Sequence, residues 1–225
     1  MFARISRRYD RLNAIMSAGR HHAWRRIAVD MAVGDLSGPA LDVATGTGDF
    51  AIDLSRKSQV SDVVGLDFTR EMLLLAIQKT RRQGLGATAG YLAGDAHALP
   101  FQDDRFICAT VGFGVRNFID MPKALREMTR VVRPGGRVVI LEIVRLEGLG
   151  PVGRLFPLYF RHVTPWLGAI FGGDREAYTY LPESVQGFLT AGEVAATMRD
   201  AGLANVTYRK LALGTVAIHV GDKGA

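Results

Sequence analysis

The chain has 225 residues, 48% of them hydrophobic, which suits one α/β domain with additions and excludes a disordered tail protein. Lys and Arg total 28 against 22 Asp and Glu, a net charge of +6, and the lone Cys108 excludes a disulfide framework or a cysteine zinc cluster. The longest apolar region, residues 148–173, is broken by Arg154, Pro157, Arg161, His162 and Pro165, so no membrane-spanning helix fits there.

The first 26 residues carry Arg4, Arg7, Arg8, Arg11, Arg20, Arg25 and Arg26 against Asp10 alone. This segment lacks the apolar core of a secretory signal. It suits a solvated arginine face, an anionic membrane surface or a nucleic acid, and it shares the arginine-rich, acid-poor composition of transit peptides. Two N-terminal helices are expected, and then the period changes. A strand is predicted near Ala40 to Ala44, a helix from Asp49 to Lys57, a strand near Val63 to Leu66 and a helix from Arg70 to Gln83. A weaker strand precedes Gly94, and another covers Phe106 to Val111, where Cys108 reads as a small packing residue. Pro122 opens a helix that runs through Val131 and stops at "RPGG", followed by the strand "RVVILEIV". Alternation of this kind predicts a mostly parallel sheet with helices on both faces. After an insertion from Gly148 to Phe188, a helix ending at Gly202 leads into two runs separated by Gly214, an antiparallel addition to the sheet edge.

The stretch "LDVATGTGDF" places a glycine-rich turn between the first strand and its helix, a geometry that lets backbone approach a ligand. Gly46 and Gly48 lack the third glycine of a dinucleotide fingerprint, and Asp49 at the helix mouth would repel a pyrophosphate. Asp67, 19 residues after Gly48, stands where a carboxylate accepts ribose hydroxyls. Asp42, inside the first strand, is costly to bury unless it organises the loop or answers a cationic ligand. A ribose, a sulfonium and an amino-acid end, the groups of S-adenosylmethionine, meet these demands better than NAD or FAD. Asp95 and Ala96 of "GDAHALPF" would flank its adenine.

The segments "LDVATGTGD", "VVGLDFTREML", "GDAHALPF", "GFGVRNFID" and "LREMTRVVRPGGRVVILE" together resemble the ubiquinone/menaquinone biosynthesis C-methyltransferases, of the demethylmenaquinone methyltransferase type. The likeness reaches both ends, through "RRYDRLNAIMS", "YLPESV" and "VAIHVG", so the arginine-rich start resembles part of the mature fold rather than a transit peptide. The resemblance implies a single domain over residues 1–225 with a seven-stranded, mostly parallel, Rossmann-like class I methyltransferase sheet. Residues 1–36 are expected to form a helical cap, and the apolar insertion 148–188 either a helical substrate lid or groove for the isoprenoid tail or a helix pair that covers the sheet. The cofactor would be S-adenosylmethionine, held by Asp42, Thr45, Gly46, Thr47, Gly48, Asp67, Phe68, Met72, Asp95, Ala96 and Gly112. Gly112 departs from the serine the family often has before F-G-x-R-N, so one polar cofactor contact is either lost or taken over by a backbone group.

The implied reaction moves a methyl group to a ring carbon of a prenylated quinol, demethylmenaquinol first, with a ubiquinone-pathway benzoquinol or another lipid-like acceptor as the alternative. Arg116 is expected to favour the ionised quinol hydroxyl, Asn117 to orient the same oxygen, and Tyr9, Asp10 and Asn13 to close over the ring. Pairing of Arg116 with a carboxylate across the strand end is the competing reading. His97 reads as a loop residue, and no general base is identified. The expected setting is the cytoplasm, with peripheral contact at the inner face of the membrane and no metal or nucleic acid; self-association is left open. A non-catalytic scaffold is the rival outside the enzyme class, but an eroded cofactor loop would be its mark, and Asp42, Gly46, Gly48 and Asp67 are all present.

Overall fold

The computed structural model describes Ser17, residues 19–146 and residues 187–224. Tyr9, Asp10, Asn13, the first expected helix and all but the end of the expected lid lie outside these residues.

Helix α1 (His21–Val33) leads into β1 (Gly38–Val43), α2 (Asp49–Ser55), β2 (Val60–Asp67), α3 (Arg70–Arg82) and β3 (Ala89–Ala93). Then come β4 (Phe106–Gly112), a 3₁₀ turn (Val115–Asn117), α4 (Met121–Val131) and β5 (Val132–Ile143). Helix α5 (Ala191–Asp200), β6 (Leu203–Leu211) and β7 (Val216–Lys223) complete the described chain. The seven strands form one sheet in the order β3-β2-β1-β4-β5-β7-β6, and only β7 runs against its neighbours. The antiparallel addition is therefore β7, slotted between β5 and β6.

Central strands of a parallel sheet lose water on both faces, and their sequences are correspondingly apolar throughout. Val43, Val111 and Ile140 belong to the core shared with α4 and α5, whereas Ala40, Val139 and Leu141 belong to the core shared with α1 and α2. Cys108 packs in this second core, and burial pushes its thiol up to about 12, which leaves it a small hydrophobe. Helix α4 starts at Asp120, whose carboxylate accepts from the Lys123 N–H at 2.9 Å, with Pro122 in the first turn. Helix α5 starts with a reciprocal capping box between Thr190 and Glu193.

Several boundaries differ from the sequence reading, two of them with a cause visible in the hydrogen bonds. Helix α2 ends at Ser55 rather than Lys57, because the chain turns there toward Val60, whose N–H bonds to the Lys57 carbonyl. Strand β5 begins at Val132, before "RPGG", because Val132 already pairs with Phe106 and a register shift before Arg137 absorbs the extra residues.

Chain order reverses between β1 and β4: β2 and β3 continue on one side of this pair, β5, β7 and β6 on the other. At such a switch point the loops leave the carboxyl ends of neighbouring strands in opposite directions and open a crevice. The functional residues converge there.

Candidate active site

A cavity of about 300 Å³ opens at this crevice. Ala44 and Gly46 line it from the end of β1, and Leu66, Asp67, Phe68, Thr69 and Met72 from β2 and α3. Gly94, Asp95, Ala96 and His97 follow β3, and Gly112, Phe113, Gly114, Asn117, Phe118 and Ile119 follow β4. Seven of the eleven residues proposed to hold the cofactor are thus in one wall system, together with Asn117: Gly46, Asp67, Phe68, Met72, Asp95, Ala96 and Gly112.

Asp67 does two jobs at the end of β2. Its Oδ2 accepts from the Gly46 N–H at 2.8 Å and its Oδ1 from the Thr69 N–H at 2.7 Å, so one carboxylate fixes the glycine loop and the start of α3. Each oxygen keeps a lone pair for a further donor. The loop itself needs its glycines for two reasons. Gly46 (φ 56°) has open space where a Cβ would stand, while at Gly48 (φ 82°) a Cβ would lie 2.6 Å from the Tyr91 hydroxyl. Two non-glycine residues at the strand ends also take left-handed conformations, Ala44 (φ 52°) and Phe113 (φ 57°), and both line the cavity.

Asp42, Thr45 and Thr47 stand outside the lining of this cavity. Asp42 is wholly buried and accepts from Thr45 Oγ1 at 2.5 Å and from Thr110 Oγ1 at 2.9 Å, so its structural task is to brace the loop from beneath. Burial pushes its carboxyl up to about 7, although the Thr45 and Thr110 hydrogen bonds pull downward. Together with His21, Arg25, Asp49 and Phe50, these three residues line a smaller adjoining recess of about 50 Å³, which shares Ala44, Gly46, Gly112 and Phe113 with the first. Gly48 lines neither and acts through the turn it permits.

Asp49 requires a correction. Its carboxylate is paired with Arg25, 3.2 Å away, and with Lys79, so the helix mouth does not present a bare negative charge. Against the upward push of burial, those two cations hold its carboxyl below the usual range. Arg25 also reaches Asp53 at 2.6 Å, and its side chain is only 10% exposed. It is thus a buried anchor of α1, not part of a solvated arginine face, and the local sequence around it carries no signal of that role.

Arg116 stands in an ion pair. Its Nη1 donates to Glu142 Oε1 at 2.6 Å and to the Phe113 carbonyl at 2.8 Å, and it does not line the cavity. The carboxylate pairing of the competing reading is present. Glu142 itself was missed, although one acid inside "RVVILEIV" in a central strand is as costly to bury as Asp42 and called for the same question. His97 accepts the Asp120 N–H on Nε2 at 3.2 Å, so its ring proton belongs on Nδ1, which donates to Asp95 at 2.6 Å. Both nitrogens are committed to joining two loops.

The model of the ubiE/COQ5 methyltransferase family matches residues 1–223. The chain is 44% identical over 223 residues to the demethylmenaquinone methyltransferase of Thermus thermophilus, covering 99% of this chain and 100% of that protein. It is 38% identical over 223 residues to the ubiquinone/menaquinone biosynthesis C-methyltransferase of Dinoroseobacter shibae, covering 99% and 89%. Among solved structures, an S-adenosylmethionine-dependent methyltransferase from Thermotoga maritima superposes with a TM-score of 0.68 at 19% identity, covering 99% of this chain and 97% of that one. The [4+2]-cyclase SpnF superposes at 0.70 and 18%, covering 91% and 82%, so the fold alone does not name a reaction. The match along nearly the whole sequence does more, and with the strand order, the switch-point cavity and Asp67 in place, the chain belongs to the ubiE/COQ5 methyltransferase family.

Proposed function

We propose that the protein methylates a ring carbon of a prenylated quinol, demethylmenaquinol in the first instance, with S-adenosylmethionine as methyl donor. The observation that carries the reading is one cavity that joins Asp67, at the end of β2, to the Gly112–Asn117 wall after β4. Relatives at 42–45% identity bear the demethylmenaquinone name, whereas those named for both quinones stand at 37–38%.

The residues fit the cofactor. A cavity of about 300 Å³ lies at the lower end of the range for small-molecule sites. Gly46 leaves open space beside Asp67, whose free lone pairs suit ribose hydroxyls, and Met72, Ala96 and Phe68 offer apolar surface to a planar base. Arg25, Asp42 and Asp49 around the smaller recess suit an ammonium-and-carboxylate end. When bound, S-adenosylmethionine supplies an electrophilic methyl group on a sulfonium.

The chain's own residues have three tasks toward the acceptor. Apolar walls exclude water, which favours a reaction in which a ring anion and a cation cancel charge. Asn117, at the cavity wall, orients the acceptor oxygen, and the Arg116–Glu142 pair holds that wall in place. Both ring nitrogens of His97 are already hydrogen-bonded, which disfavours it as the base, and bound water is the proposed acceptor of the proton. Tyr9 and Asn13 retain their proposed role of closing over the ring, and the segment 148–188 that of covering the isoprenoid tail.

The test is turnover with labelled S-adenosylmethionine and two reduced acceptors, a demethylated prenyl naphthoquinol and a prenyl benzoquinol lacking the ring methyl. The expected product carries one added methyl on ring carbon, formed faster from the naphthoquinol and from quinol rather than quinone, because only the quinol has a hydroxyl whose ionisation activates the ring. An O-methyl product, or equal turnover of quinone and quinol, would overturn the reading.

A further inference from the structure

Glu142 is wholly buried on β5, yet three hydrogen bonds meet its carboxylate. Oε1 accepts from Arg116 Nη1 at 2.6 Å and from the Ile143 N–H at 2.8 Å, and Oε2 accepts from the Arg116 N–H at 3.3 Å. Side chain and backbone of Arg116 are therefore held by one acid. The same guanidinium donates to the carbonyl of Phe113, and the Phe113 N–H donates to the Leu141 carbonyl, both at 2.8 Å. The residues from Phe113 to Arg116 are spanned by these fastenings and Asn117 follows directly; the segment contains the left-handed Phe113 and the 3₁₀ turn that carries Asn117 to the cavity.

Those features demand an external restraint. A non-glycine residue at φ 57° is held at a cost, and a single 3₁₀ turn does not sustain itself. The nearby apolar residues of β5 supply packing but no directional partner for the Arg116 N–H. A neutral side chain at position 142 would take away the carboxylate that Glu142 sets 2.6 Å from the buried Arg116 guanidinium. The carboxylate answers both needs at once.

We propose that Glu142 is a positioning residue for methyl transfer: through Arg116 it locks the Phe113–Asn117 segment against β5 and thereby sets the placement of Asn117 at the acceptor wall. It touches no reacting atom. The proposal rests on the C-methyltransferase reading for its kinetic consequence, whereas its structural consequence is visible in the protein without cofactor or acceptor.

The experiment pairs Glu142→Gln with the doubly apolar variant Arg116→Met/Glu142→Leu, since replacing both members of a buried pair by apolar residues commonly restores stability. Amide hydrogen exchange of the cofactor-free proteins is read on peptides covering 113–118. Both variants are expected to exchange there at least about tenfold faster than wild type while β1 and β4 keep their protection. Calorimetric affinity for S-adenosylmethionine should stay within about threefold, because Asp67 and the glycine loop are untouched. Turnover of the best acceptor should fall by about 10²-fold in kcat, the scale of an ångström of misplacement, and remain low in the double variant even where its Tm recovers. Recovery of both protection and kcat in the double variant would show that charge balance alone matters and would overturn the proposal. Wild-type exchange at 113–118 in Glu142→Gln would overturn it as well. Should Glu142→Gln fail to fold, the double variant decides by the same two readings. If no acceptor is turned over by the wild type, the C-methyltransferase reading fails while the exchange result still judges Glu142.

Discussion

Asp42 and His219 are both buried titratable groups, and burial moves them in opposite senses. The Asp42 carboxyl rises from 3.8 to about 7, so between those values the folded state keeps a proton that the unfolded chain gives up. Its stabilising contribution is present below pH 3.8 and is lost as the pH rises through about 7. Burial lowers the His219 imidazole from 6.5 to about 4, with its Nε2 bonded to the Ala191 carbonyl at 2.9 Å. There the unfolded state binds the extra proton, so its contribution grows as the pH rises from about 4 to 6.5. The two trends oppose each other over that range. Urea midpoints of Asp42→Asn are expected to climb from pH 4 to 6.5 more steeply than those of wild type; parallel profiles would show that Asp42 is ionised in the fold. At the neighbouring acid, Asp67→Ala should weaken S-adenosylmethionine by about 1–3 kcal/mol in calorimetry, because it removes the acceptor for ribose hydroxyls and also frees the Gly46 and Thr69 amides.

Elements meet the site through a few side chains whose loss should be felt at a distance. A Cβ at Gly112 would stand 2.8 Å from Cδ2 of Phe50, so the α2 ring already fills the space that a side chain at this position would need. Gly112→Ser is therefore expected to destabilise by about 1–3 kcal/mol, the cost of overpacking, and Phe50→Leu in the same chain should relieve much of it. Additive losses in denaturant melts would refute the link between β4 and α2. Helix α1 is tied to α2 by Arg25, which reaches both Asp49 and Asp53. Arg25→Ala should cost near the lower end of about 3–5 kcal/mol, because Arg56 still pairs with Asp53 and Lys79 with Asp49. The measurement is the unfolding midpoint at neutral pH, with exchange of α1 amides as the local check.

At the scale of the whole molecule, a net charge of +6 accompanies two apolar side chains at the cavity mouth, Phe68 at 86% and Ile119 at 99% exposure. Among the described residues no helix is long and apolar enough to cross a membrane. The expected arrangement for an acceptor with an isoprenoid tail is contact of this rim with an anionic bilayer, strengthened by charge and weakened by salt. Flotation with vesicles containing anionic lipid should show binding at low ionic strength that falls as salt is added. Equal recovery with neutral vesicles, or none at low salt, would mean that the acceptor reaches the cavity without this surface.

Sequence alone determined the alternating strands and helices, the glycine loop at the end of β1, and Asp67 one strand further on, because periodicity and turn chemistry are local properties written in neighbouring residues. It also singled out Asp42 as an acid too costly to bury without purpose, and the parallel sheet with an antiparallel addition follows from element order. Only the tertiary structure decided what each charge faces. Arg25 and Asp53 are 28 residues apart in the chain, and Arg116 and Glu142 are 26 apart, yet each pair closes to 2.6 Å. Such pairings depend on how two elements pack, and no local pattern encodes them. Sequence therefore shows Arg116 and Asp49 as charges with no visible partner, whereas folding places a partner of opposite sign beside each, because a charge removed from water needs one.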